Sequence, residues 1–204
     1  TQVPSIWMAL ISIALLLSAC GDQQDPRQDY LDTLSAEFDA LVGFMAEFEP
    51  GMETREVEFE GPNGRIARGD RIVSKSKDIA DTLQSLHRHM TQVPMSVLQE
   101  GMAGFDEWSS QATEIIEGGR KRAEPELARI VNDYAANPDR YAGNMELGPD
   151  GMLFISSSQI SMLGGLSTSE PEGFGINPMF LWTMDLDAWV ASIREQAQRY
   201  SLVD

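Results

Sequence analysis

DYLDTLSAEFDALVGFMAEFE, residues 29–49, carries the clearest structural pattern in the chain. Large apolar residues recur in it at spacings of 3, 4, 3, 4 and 3, namely Leu31, Leu34, Phe38, Leu41, Met45 and Phe48. This spacing places all six side chains on one face of an α-helix, with acidic residues on the opposite face. The stretch therefore predicts a long amphipathic helix, which Pro50-Gly51 ends.

Four more segments show helical spacing of apolar residues: 70–92, 96–117, 124–136 and 186–200. Gly118-Gly119 is expected to end the second of these, and Pro125 suits the first turn of the third. Asp185 or Thr183 is the expected N-cap of the last. The short links at Pro94 and at Gly118-Gly119 favour antiparallel packing of neighbouring helices.

Two segments change to an alternating pattern and contain similar turns. Residues 56–68 include GPNG and residues 145–155 include GPDG, each followed by an apolar strand-like run. Both predict small hairpins, which either share one sheet or are unrelated. Residues 156–180 are rich in Gly and Ser and predict a long loop, of a kind that is usually functional or mobile.

These elements together predict a mainly α fold: an antiparallel helical bundle with one or two small β-hairpins and a long Gly-rich C-terminal loop. The acidic helix at 29–49 and the helix at 70–92 are expected to pack together, with Phe38 and Leu83 buried between them. Exposed ion pairs of Glu37 or Glu47 with Lys75 or Lys77 are expected to contribute only about 0–1 kcal/mol each.

The formal net charge is −17, and it is unevenly distributed. Residues 22–60 hold 12 acids against two bases, whereas residues 65–88 hold six bases against three acids. A surface of this sign repels phosphates, so no nucleic-acid partner is expected. The basic segment is expected to lie against the acidic one within a single domain, or against an acidic partner.

Residues 6–20, IWMALISIALLLSAC, form an uncharged apolar run that is too short to span a bilayer. Its end, Leu17-Ser18-Ala19-Cys20, resembles the lipobox of bacterial lipoproteins. The resemblance implies that signal peptidase recognises Leu17, Ser18 and Ala19, and that Cys20 carries the lipid. Cys20 is the chain's single cysteine, so no disulfide can form within one chain.

The resemblance also implies an order of segments. Residues 1–19 would be the signal peptide, residues 20–28 a lipidated tether in which Pro26 breaks any helix, and residues 29–204 one acidic helical domain. The sequence starts Thr1-Gln2 and has no basic residue before Arg27, so we expect that the natural signal peptide begins further upstream. Gly21 rather than Asp after the cysteine favours residence in the outer membrane, on its periplasmic face.

Few residues suggest chemistry. His87, His89 and Met90 are weak candidates for a copper site, because imidazole and thioether ligands suit that metal but the helical spacing is poor. The serines at 156–158 and 167–169 lack a nucleophile elbow, and no phosphate-binding or zinc-protease motif is present. Trp182, Trp189, Phe174, Phe180 and Tyr200 form either a ligand surface or a core beneath the loop.

The function expected from these observations is a lipid-anchored envelope lipoprotein that acts as a non-catalytic protein-interaction or assembly module. It would be held to the membrane through Cys20, bind a protein partner and need no cofactor. The alternative is a periplasmic lipoprotein that binds a small ligand or metal through its acidic surface and the Gly/aromatic loop 156–182. An enzyme that uses only acidic residues is less favoured.

The first prediction concerns Cys20. We expect Cys20→Ser to abolish labelling by a fatty-acid probe and to leave an unprocessed precursor, because no other thiol can accept the diacylglycerol. Labelling in a bacterial host, followed by membrane fractionation, checks this. Labelling that persists in the variant would contradict the assignment, and residence of the wild-type chain only in the inner membrane would contradict the sorting.

Overall fold

The computed structural model describes residues 25–60, 66–157, 159–163, 166–167 and 175–201. This part of the chain is mainly helical, with two small antiparallel sheets. Its helices are α1 (Pro26–Glu47), α2 (Lys77–Thr91), α3 (Met95–Gln99), α4 (Phe105–Ala136), a 3₁₀ turn (Pro138–Tyr141), α5 (Phe180–Thr183) and α6 (Leu186–Ser201). Its strands are β1 (Met52–Glu60), β2 (Ile66–Ser74), β3 (Met145–Leu147), β4 (Leu153–Ser156), β5 (Gln159–Leu163), β6 (Leu166–Ser167) and β7 (Gly175–Ile176).

Helix α1 begins three residues before the predicted start, and Pro26 starts it rather than breaking it. Asp25 is the N-cap, and its Oδ1 accepts a hydrogen bond of 2.9 Å from the backbone N–H of Arg27. Proline suits the first helical turn because its missing N–H would have no partner there. All six residues of the predicted apolar stripe are buried, from 0% to 7% exposed.

Helix α2 begins at Lys77, so the predicted start at residue 70 is wrong. Residues 70–74 belong to β2, which pairs with β1 in a nine-residue antiparallel ladder. Backbone pairing along this ladder overrides the helical spacing of Ile72. Four other residues of the predicted stripe do lie in the core, where Ile79, Leu83, Leu86 and Met90 are at most 1% exposed. The last one, Val93, follows the helix and packs partly buried against the core.

Helix α4 is one continuous helix of 32 residues, which corrects two predictions. Gly118-Gly119 does not end a helix, and Pro125 lies inside one rather than in a first turn. Gly119 is buried against the ring of Phe38, whose side chain occupies the space that a Cβ would need. Close packing of α4 on α1 therefore explains why residue 119 is glycine, although the sequence pattern indicated a helix end there.

Contacts along α1 show which way its neighbours run. Arg27 at the start of α1 contacts Ala103 just before α4, Phe38 contacts Gly119, and Met45 contacts Arg129. The residue numbers therefore rise together along the two helices. Helices α1 and α4, which are not linked directly along the chain, therefore run parallel. On α2 the order reverses, because Tyr30 bonds to His89 while Glu37 reaches back to Ser85, so α1 and α2 run antiparallel.

The two predicted hairpins exist and lie in different sheets. Strands β1 and β2 belong to a four-stranded sheet of order β1-β2-β5-β6, and β3 and β4 to a three-stranded sheet of order β3-β4-β7. In the first sheet, Glu58 of the acidic segment is the register partner of Arg68 of the basic segment. The predicted long loop contains β5, β6 and β7 in its described parts, and residues 158, 164–165 and 168–174 lie outside them.

One buried core joins the helices to the three-stranded sheet. Phe38 and Leu83, expected at the seam of α1 and α2, are both 0% exposed, and Ile155 of β4 belongs to the same cluster. Helix α6 starts where predicted, with Asp185 Oδ1 accepting from the N–H of Ala188 at 3.0 Å. Within the described ranges, no helix has the length and apolarity needed to cross a bilayer.

A buried polar network around Asn144 connects the sheets to the end of α1. The Asn144 side chain accepts from the N–H of Gly51 at 2.5 Å and donates to the Gly51 carbonyl at 2.9 Å. It also donates to the hydroxyl of Ser74, at the end of β2. Ser76 Oγ contacts the carbonyls of Asn144 and Ser156 at 3.0 and 2.7 Å. This cluster therefore fixes the relative positions of β2, β4 and the chain after α1.

Gly118 and Gly119 provide a matched pair for the packing of α1 on α4. We expect Gly119→Ala to lower the free energy of unfolding by roughly 1–3 kcal/mol, because its methyl group would overlap the Phe38 ring. Gly118→Ala should raise it by roughly 0.5–1 kcal/mol, since the site is open and Ala favours a helix. Urea denaturation of the full chain in a neutral detergent measures both. Equal effects of the two substitutions would contradict the close approach.

The Asn144 network gives a second stability prediction. Asn144→Ala should cost roughly 1–3 kcal/mol in free energy of unfolding, because it leaves the Gly51 N–H and C=O without these partners. Asn137→Ala is the matched control, since Asn137 is exposed and its side-chain amide bonds to Asp133 one helical turn away, and we expect a change within about 0.5 kcal/mol. A control that cost as much as Asn144→Ala would show that the network contributes nothing specific.

Candidate functional site

The residues of the lipobox resemblance, Leu17, Ser18, Ala19 and Cys20, lie outside the described part of the chain. The first described residue is Asp25, the cap of α1. A chain attached through Cys20 would therefore join the folded domain at the beginning of α1, which we call the tether end. Four residues lie between Cys20 and Asp25, and the five steps from one to the other span at most about 18 Å.

The structure separates the three weak metal candidates His87, His89 and Met90. Met90 is 1% exposed in the core, and its carbonyl accepts a hydrogen bond of 2.6 Å from Trp189 Nε1. His87 packs edge-on against Phe180, with ring centroids 4.9 Å apart, and His89 bonds to Glu37. Among the described residues, no group of three or more His, Cys, Asp and Glu side chains is placed to hold a metal ion.

The serine and aromatic candidates also lie apart from one another in the fold. Ser156 and Ser157 are 8% and 5% exposed, so solvent hardly reaches their hydroxyls. Trp189 lies in the core against Trp108, with centroids 6.4 Å apart, whereas Tyr200 contacts Met95 near the tether end. Trp182 and Phe180 are partly buried against the core. Ser167 lies in β6, and the remaining candidates, Ser158, Ser169 and Phe174, are outside the described residues.

Arg27 is a functional candidate that the sequence prediction missed, because it placed this residue in the tether. Arg27 is 7% exposed, and its guanidinium donates to the carbonyls of Gly101 and Ala103 and lies near the rings of Phe105 and Trp108. Burial lowers the pKa of Arg27, while the Glu100 and Asp25 carboxylates oppose that shift. The Asp25-Pro26 pair was the available signal, since it is typical of a helix start.

The Arg27 side chain forms part of the floor of a cleft of about 300 Å³, whose rim includes Asp25, Glu100 and Glu107. Among the described atoms, Arg27 Nε and Trp108 Nε1 have no hydrogen-bond partner, and both atoms are buried. A ligand in the cleft would not reach them without movement of the surrounding side chains. Arg27 is therefore best understood as a side chain that holds the α3–α4 turn onto α1.

Glu37 and His89 form a second polar arrangement, and the predicted pairing of Glu37 with Lys75 or Lys77 is wrong. Glu37 Oε2 lies 2.8 Å from His89 Nδ1, and Oε1 accepts from Ser85 Oγ at 2.5 Å. Lys77 instead pairs with Asp81 one helical turn away. The Glu37 side chain is 15% exposed and that of His89 29% exposed. The carboxylate thus orients an imidazole that solvent can still reach.

His89 lies in the wall of a cleft between the start of α1 and the link from α2 to α3, which we call the Pro94 cleft. It has a volume of about 270 Å³ and is lined by Pro26, Asp29, Tyr30, Thr33, His89, Pro94 and Ser96. The Tyr30 hydroxyl donates to the His89 carbonyl at 3.1 Å, so Tyr30 connects the two walls.

Three exposed apolar side chains lie around the smaller sheet, and we call them the apolar patch: Leu147, Met152 and Met179 are 60%, 46% and 48% exposed. Leu147 pairs with Leu153, the residue after Met152. Asn177 Nδ2 lies 3.2 Å from Met152 Sδ, and Asn177 Oδ1 accepts from the N–H of Met179 at 2.9 Å. These contacts place the three side chains near one another at the edge of the sheet that holds the β3–β4 turn.

Comparison with known proteins adds no relative. No protein-family model, no curated protein and no solved structure matches this chain.

Proposed function

We propose that this protein is a lipid-anchored envelope lipoprotein whose folded domain binds a protein partner without catalysing a reaction. The anchor rests on the resemblance of Leu17-Ser18-Ala19-Cys20 to a lipobox. The binding role rests on one observation in the folded domain, the apolar patch. Large exposed apolar side chains that lie together are typical of surfaces that bind another protein.

The position of the patch supports this role. Leu147 follows Asn144, which bonds to Gly51 just beyond the end of α1, so the patch lies at the end of α1 opposite the tether. A helix of 22 residues is about 33 Å long. A lipid on Cys20 would therefore hold the tether end of the domain at the membrane, while the apolar patch would lie about one length of α1 away from that end.

The helical layer is proposed to act as one rigid bundle between these two ends. Its helices pack antiparallel where α1 meets α2 and parallel where α1 meets α4. The Asn144 network holds the sheets at the patch end, and Arg27 holds the α3–α4 turn at the tether end. A rigid connector of this kind suits an assembly module of the outer membrane, located on its periplasmic face.

Photo-crosslinking in cells tests the binding role. A photo-reactive amino acid in place of Met152 should give a discrete crosslinked band with one protein. Adding Leu147→Glu and Met179→Glu should reduce that band by about tenfold or more, because binding would bury two unpaired carboxylates. The melting temperature should stay unchanged, since both positions are largely exposed.

Met95→Glu is the matched control, because Met95 is 55% exposed and lies beside Tyr200 at the tether end. It should leave the crosslinked band intact. A band that Met95→Glu reduced as strongly as the paired patch substitutions, or the absence of any discrete band, would contradict binding through the patch.

A further inference from the structure

The Pro94 cleft differs in charge from the cleft that has Arg27 in its floor, although both lie at the tether end. Its described lining contains one carboxylate (Asp29), one imidazole (His89), two aliphatic hydroxyls (Thr33 and Ser96) and the Tyr30 hydroxyl, with no Lys or Arg. Pro26, Pro94 and the ring of Tyr30 supply apolar walls. The cleft therefore combines hydrogen-bond acceptors with apolar surface, and its described lining has no Lys or Arg side chain to pair with those acceptors.

The Glu37–His89 pair determines what the imidazole presents to this cleft. Glu37 is not in the lining, and it faces Nδ1 of His89 at 2.8 Å. A neutral imidazole with a carboxylate at Nδ1 keeps its proton on that nitrogen. Nε2 is then left as an acceptor on a ring that lines the cleft, and no described group donates to it. Ser85 occupies the other oxygen of Glu37, so the carboxylate cannot turn away without losing a second bond.

The local charge favours a cation. With His89 neutral, the Glu37–His89 pair carries a net charge of −1 and Asp29 adds another, inside a chain of net charge −17. An ammonium group could donate to Asp29 and to His89 Nε2, with its remaining proton near the hydroxyls of Thr33 and Ser96. An aliphatic stem would pack against Tyr30 and the prolines, as the methylenes of lysine do on apolar surfaces.

We propose that the Pro94 cleft binds a lysine side chain of a protein partner. This inference rests on the proposed function, because it names the chemistry of a second contact made by the same interaction module. A bare metal ion fits less well, because the described residues here offer only one carboxylate and one imidazole and would leave the apolar walls unused. An anionic lipid headgroup fits less well still, because Asp29 and Glu37 would repel it.

Peptide titration of the full, unprocessed chain in neutral detergent micelles tests the proposal. The probes are acetyl-Ala-Lys-Ala-amide and its uncharged isostere with norleucine in place of lysine. Amide signals of Thr33, His89 and Ser96 should shift saturably with the lysine peptide, with a dissociation constant of about 1 mM. The norleucine peptide should bind about tenfold more weakly or not at all, because it lacks the ammonium group.

Two pairs of variants locate the site. Asp29→Asn and Glu37→Gln should each weaken binding of the lysine peptide about fivefold to tenfold, because each removes a negative charge near the ammonium. Asp32→Asn, an exposed acid on the same helix, and His87→Gln, the other histidine, should change nothing. Loss of binding in the controls, or none in the cleft variants, would overturn the proposal.

Two further readouts keep the proposal open to refutation. The ¹⁵N signals of the neutral His89 ring should show its proton on Nδ1, and a neutral ring with its proton on Nε2 would overturn the assignment. Binding of n-butylammonium as tight as that of the peptide would indicate a receptor for free amines and overturn the protein partner. Neither readout depends on lipid at Cys20, so failure of the lipoprotein assignment would be seen separately.

Discussion

The contact between the Phe38 ring and the backbone of α4 at Gly119 is the constraint on which the rest of the structure depends. A Cβ at position 119 would overlap that ring, so the two helices can approach this closely at this point only because residue 119 is glycine. The register of the two helices brings Arg27 to the turn before α4 and Met45 to Arg129. Because the pairing is parallel, the chain must return along the domain between α1 and α4. Strands β1 and β2 and the antiparallel helix α2 occupy that return path.

Polar groups complete what the apolar contacts begin. The apolar stripe of α1 does not define where the sheets lie, because the hydrophobic effect is not directional. Asn144 supplies direction, since its amide pairs with both backbone groups of Gly51 and with the Ser74 hydroxyl. At the other end, Arg27 holds two carbonyls of the α3–α4 turn. The domain thus has a largely apolar middle and two polar ends, and each proposed contact surface lies at one of those ends.

The sequence predicted well what depends on neighbours close along the chain. The stripe of α1, the second hairpin turn and the Asp185 cap follow from periodicity and turn chemistry, and the structure confirms them. The strands of the first hairpin are confirmed too, whereas its turn at 61–64 lies outside the described residues. The sequence predicted poorly what depends on residues far apart. Gly119 looks like a helix stop unless Phe38 is known to pack on it, and Ile72 fits a helix until β1 pairs with its strand. Glu37 and His89 are 52 residues apart, so no spacing rule could reveal their pairing or the cleft beside it.

The parallel pairing of α1 with α4 has a consequence for how the chain folds. The contacts that join these helices connect residues 74 to 84 positions apart. Closing so long a loop costs conformational entropy before any of the contacts can form, so this pairing is expected late in folding. A growing chain exposes the stripe of α1 while about 80 more residues are added. Until α4 emerges, that stripe lacks its main partner, and a holding chaperone could bind the nascent protein there.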